Sequence, residues 1–84
     1  MKKWKVENWV WDGAVLDAAI IYFTDYEEAK YEFDRYSPIK ETIAIKLIEY
    51  QEINGKICNE QTLKNKKNTA LLPIINKKYL TWIL

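Results

Sequence analysis

The sequence predicts a small α+β fold: a mostly antiparallel sheet made from two hairpins, in the order β-β-α-β-β, with one helix packed across a face. Three observations carry this expectation. Residues 3–11 and 42–52 alternate their side chains with a period of two. Asp12-Gly13 and Asn54-Gly55 are strong hairpin signals, because a type I′ turn needs positive φ at both central positions. Between the hairpins, a helix-start signature at Thr24 leads into apolar residues at helical spacing.

In the first strand, Trp4, Val6 and Val10 fall on one face and Lys5, Glu7, Trp9 and Trp11 on the other. Asp12-Gly13 then reads as a two-residue turn, with the second strand running from residues 14–15 to 22–23. Asp17 breaks the apolar pattern of that strand and marks either a bulge or an edge position. The helix is predicted over 25–36. The Thr24 hydroxyl would accept a bond from the Glu27 amide, and the Glu27 carboxylate would reach back to the amide of Thr24. Tyr26, Ala29, Phe33 and Tyr36 form its apolar stripe, set to pack on Val6, Val10 and Ile20 or Ile21, and Ser37-Pro38 ends it.

In the third strand, Ile43, Ile45 and Leu47 oppose Ala44, Ile48 and Tyr50, with Lys46 among the latter. Its partner after Asn54-Gly55 should return over 56–63, and the Lys/Asn run 64–68 reads as a polar connector. Residues 70–84 fit two patterns. Leu72, Ile75, Tyr79, Trp82 and Ile83 make a helical stripe, while 79–83 equally suit a short strand, so an extra C-terminal strand or helix stays open.

An 84-residue chain is one domain with a modest core and no room for a deep cleft between lobes. Histidine is absent, which removes the commonest general base and metal ligand. One cysteine, Cys58, permits no internal disulfide and has no histidine to activate it; it reads as a packed or half-exposed small residue. Neither glycine belongs to a phosphate-binding loop, as both sit in turn signals. The sequence therefore predicts a chain that is not an enzyme, with no cofactor and no metal. No apolar run is long enough for a membrane span and no signal-peptide pattern precedes the domain, so a cytoplasmic protein without a membrane partner is expected.

The net charge of +1 hides an asymmetry: residues 12–36 hold seven acids against two bases, and 41–84 hold seven lysines against four acids. Four tryptophans and six tyrosines are many for this length. One helix covers one face of a sheet, yet both long strands are apolar on both faces, so the second face needs a cover: residues 70–84, a second copy, or another protein. On that reasoning the partner-binding candidates are Trp9 and Trp11 on the second face, with Asp25, Glu27, Glu28, Glu32 and Asp34 of the helix supplying electrostatic steering or imitating a nucleic-acid backbone. The same acids also suit a solvated helix face with ordinary pairing to Lys30 and Arg35. The partner would be another protein or a second copy of the chain. The alternative is a small nucleic-acid-binding module in which Lys64, Lys66, Lys67, Lys77 and Lys78 meet phosphate and Tyr79 and Trp82 stack on bases.

Residues 23–29 through Phe33, then 43–50, then Asn54-Gly55-Lys56, resemble a recurring pattern of small phage and mobile-element accessory proteins, some of them anti-defence inhibitors such as anti-CRISPR proteins. The resemblance implies a strand feeding a short acidic helix, a hairpin after it, and a protein inhibitor or adaptor. It transfers no functional residue.

Overall fold

The computed structural model describes residues 2–11, 13, 15–35 and 42–67. It consists of β1 (Lys2–Trp11), β2 (Leu16–Phe23), α1 (Tyr26–Arg35), β3 (Thr42–Ile53) and β4 (Lys56–Lys67). The four strands form one antiparallel sheet in the order β2-β1-β3-β4, and α1 lies across one face, as the α+β pattern requires.

The register sorts the side chains by face. Trp4 faces Phe23 on one side and Glu49 on the other, and Val6 likewise lies between Ile21 and Leu47. Val6, Ile45 and Leu47 meet Ala29 and Phe33 of α1 to form the core, flanked by Trp4, Phe23 and Tyr26. Trp4 and Tyr26 meet edge to face, with ring centroids 5.9 Å apart. Burying a ring such as Phe33 stabilises the fold by about 1.5–3 kcal/mol. Ile20 and Ile21 contribute less than expected, since both stay exposed and β2 reaches the core through Phe23. The predicted alternation is observed from Lys3 to Trp9 of β1 and from Ala44 to Tyr50 of β3; the register shifts between Trp9 and Val10, and Val10, expected under the helix, does not join the core.

Three local expectations need correction. Asp25, not Thr24, caps the helix: its Oδ2 accepts from the Glu28 amide at 3.3 Å, and its carbonyl accepts from the Ala29 amide at 3.2 Å. The frame is shifted by one residue, and a carboxylate at this position also complements the helix dipole. Trp11 pairs with Leu16, which leaves residues 12–15 between the strands, so the first hairpin connection is longer than two residues. Gly13 does carry the positive φ, 99°, that its turn signal implied. Finally, 64–67 belong to β4 and are no connector. The twelve-residue β3 offers pairing along its whole length, and lysine stems suit the outer strand of a sheet.

The second hairpin matches its signal. Ile53 pairs with Lys56, and Asn54 and Gly55 have φ of 53° and 76°. Asp17 lies on β2 at the end of the strand order and in regular register opposite Val10, which decides for an edge position over a bulge. Bulges occur instead in the β1–β3 and β3–β4 pairings; in the latter Asn59 adopts φ 54°. The expected strand or helix over 70–84 lies outside the described residues, as does Tyr36.

Candidate interaction site

The sheet has a second face, opposite α1, and its centre is built around charge. Lys5 and Glu7 alternate on β1 beside Ile48 and Lys46 of β3. Both are buried, 6% and 8% exposed. The Lys5 ammonium pairs with Glu7 at 3.0 Å and with Glu60, which comes from the β4 bulge. The other oxygen of Glu7 accepts from the Trp9 indole N–H at 3.0 Å. Burial on its own lowers the Lys5 pKa, but the bonds to Glu60 and Glu7 outweigh it and hold the amine above its ordinary value. Ala44, Ile48 and Tyr50 complete this buried centre. Burial also raises the pKa of the Tyr50 phenol.

Trp9 and Trp11 lie on this second face and are half-buried; Trp9 is held by Glu7. The helix acids lie on the other side of the sheet. Asp25, Glu27, Glu28 and Asp34 are exposed, while Glu32 is half-buried and pairs with Arg35 at 3.5 Å. The structure thus does not bring the two halves of the sequence-predicted site together: a full sheet thickness separates the tryptophans from the acids. The reason is parity, since α1 packs on Val6 and the tryptophans have the opposite parity on β1.

The alternative lysine site is also divided. Lys64 and Lys67 are exposed on β4, on opposite faces of the strand. Lys66 is committed to α1: its ammonium donates to the carbonyls of Phe33 at 2.7 Å and Asp34 at 3.4 Å, and lies 4.5 Å from the centre of the Phe33 ring. It caps the helix C-terminus. Lys77, Lys78, Tyr79 and Trp82 lie outside the described residues.

Two features were not singled out as sites from the sequence. The first is an open cavity of about 350 Å³ at one end of the second face, lined by Lys3, Tyr22, Phe23, Tyr50, Glu52 and Ile57 among others. Lys3 and Glu52 form an ion pair at 3.1 Å on its wall, and Tyr22 and Tyr50 meet edge to face at 6.3 Å. The second is β2 itself. Among the described residues it ends the sheet, and it carries one charge, Asp17, in eight residues. Ala18 and Ala19 are exposed, and so are Ile20 at 39%, Ile21 at 44% and Tyr22 at 55%. The signal was present in the apolar run 18–23, but its meaning depends on strand order, which one sequence does not display.

Among the described residues, no three His, Cys, Asp or Glu side chains are grouped to hold a metal ion, and no helix is long and apolar enough to cross a membrane. Cys58 is half-buried, with its thiol directed at the Gln51 carbonyl at 3.4 Å. No family model matches this sequence, and neither a curated protein nor a solved structure matches the chain.

Proposed function

We propose that this chain is a non-catalytic protein-binding domain, an inhibitor or adaptor of the mobile-element kind that acts by occluding its partner. The observation that carries the reading is the exposed apolar strand β2 at the end of the sheet. Asp25, Glu27 and Glu28, just past the end of β2 in the chain, give that end of the strand a negative field that steers a basic partner. Trp9 and Trp11 take a packing role in this account, because Glu7 already fixes the Trp9 indole. Of the β4 lysines, Lys66 is taken up by the helix end.

A photoreactive benzoyl-phenylalanine placed at Tyr22 tests the reading in cells that express the chain. A discrete cross-link to a second protein, identified by mass spectrometry and absent when the label sits at Leu63 on β4, supports it. Retention of a single-stranded oligonucleotide at low salt, weakening steeply as salt rises and lost in Lys64→Glu with Lys67→Glu, would replace it with the nucleic-acid alternative.

A further inference from the structure

We infer that the open edge of β2 accepts an extended segment of another protein as a fifth strand, apolar at its centre and bearing lysine or arginine at its ends. The inference rests on the protein-binding reading above and names the chemistry of the partner.

Among the described residues β2 is bonded along one side only, to β1. In an antiparallel edge strand, alternate residues direct both N–H and C=O outward, so half of β2 offers ready main-chain pairing. Natural edges are guarded by lysine, proline or bulges. The opposite end of the sheet follows that rule, with Lys56, Glu60, Lys64, Lys66 and Lys67 on β4 and a bulge at Asn59. β2 has no lysine, no proline and no register shift against β1. Its apolar residues occur at both parities, Ile21 towards the helix side and Ile20 and Tyr22 towards the other, so an added strand would bury apolar side chains on both of its faces.

Charge decides between a second copy and a different partner. Acids stand at both ends of the strand: Asp17 at one end, and Asp25, Glu27 and Glu28 just past the other, all exposed. A second copy brings the same acids and no lysine or arginine on its own β2, so it offers them no opposite charge. A segment with basic ends meets the same acids favourably and fits the unguarded centre.

The probe is a nine-residue synthetic peptide with a Val-Ile-Val-Tyr-Val centre and two lysines at each end, titrated against the full chain by fluorescence anisotropy and followed by amide NMR. Saturable binding is expected, with shifts concentrated on 16–23. Replacing the four lysines by glutamates should weaken it at least tenfold, and N-methylation of alternate central amides on the pairing edge should abolish it. Ile20→Lys should lower affinity at least tenfold with an unchanged far-ultraviolet circular dichroism spectrum; because the N-methyl control needs no protein variant, the test does not depend on how that variant folds. No binding at millimolar peptide, equal binding of the lysine and glutamate versions, or a dimer mass abolished by Ile20→Lys would each overturn the inference. A protein cross-link from position 22 alongside a silent peptide would remove strand addition and leave the protein-binding reading standing.

Discussion

Lys5 and Glu7 give the sharpest quantitative test of the second face. Their side chains are 8% and 10% exposed, the Lys5 ammonium lies 3.0 Å from Glu7, and Glu7 also serves the Trp9 indole at 3.0 Å. Lys5→Met keeps the aliphatic stem and strands the Glu7 carboxylate in a buried site with one indole donor. Breaking a buried pair from one side costs about 3–5 kcal/mol, set here near the lower end because Glu60, the other partner, is half-exposed and can turn to water. Glu7→Gln keeps an acceptor for Trp9 and leaves Lys5 with Glu60, so it should cost only about 1–2 kcal/mol. The double variant leaves no buried charge unpaired, since only half-exposed Glu60 loses a partner, and should cost at least about 1 kcal/mol less than the sum of the two singles. A domain of 84 residues has a total stability of about 4–13 kcal/mol, so Lys5→Met removes a large share of it. Urea melts followed by tryptophan fluorescence and circular dichroism supply all the values. A Lys5→Met cost below about 0.5 kcal/mol, or strictly additive singles, would refute the claim that this pair is buried and coupled. The pH dependence has a definite sign. Lys5 and Tyr50 both have folded pKa values raised above their ordinary 10.5 and 10.0. The folded state therefore holds these protons more tightly than the unfolded chain. The resulting stability is present below about pH 10 and is lost as pH rises through the folded values. Lys5→Met should flatten the alkaline side of the profile, leaving the Tyr50 share.

Three further outcomes are expected. Phe33→Ala should cost about 3–5 kcal/mol in denaturant melts, because Phe33 is 3% exposed and meets the Lys66 ammonium over its ring as well as the sheet. Asp25→Ala should cost about 0.5–2 kcal/mol while Thr24→Ala costs close to nothing, since only Asp25 bonds the first-turn amides; the reverse order would restore the Thr24 cap. Asn8→Val should raise the melting midpoint by the equivalent of about 1–3 kcal/mol, because the Asn8 side-chain oxygen is buried without a hydrogen-bond partner between Ala19 and Ile45.

Much of this architecture was legible in the residues, for physical reasons. Period-two alternation survives in β1 and β3 because each is packed on both faces, so every side chain's parity is fixed by what it touches. Asn54-Gly55 was legible because few residue pairs accept positive φ twice in succession. The lysines of β4 misled because an outer strand needs few apolar residues; its register comes from β3, and Lys66 contributes its stem and its charge to α1. The helix cap slipped by one residue because Thr24 and Asp25 are both good caps and only the backbone decides between them. The candidate site was the least legible part. Tryptophan and acid content drew attention to Trp9, Trp11 and α1, which the fold places on opposite faces, while β2 became notable only once its place at the end of the sheet was known.

The position of β1 between β2 and β3 sets the order in which this molecule can be made. Lys2 finds its β3 neighbour at Gln51, so β1 is made well before β3 and is completed only when β3 follows it. Any fragment stopped before Thr42 has β1, β2 and α1 but nothing against the inner side of β1, and Val6, Ala29 and Phe33 lack Ile45 and Leu47 to close over them. Such a fragment is sticky by construction. Stopping the chain before Thr42 should therefore give insoluble material rather than a smaller working piece, and any useful dissection must keep the long central pairing whole.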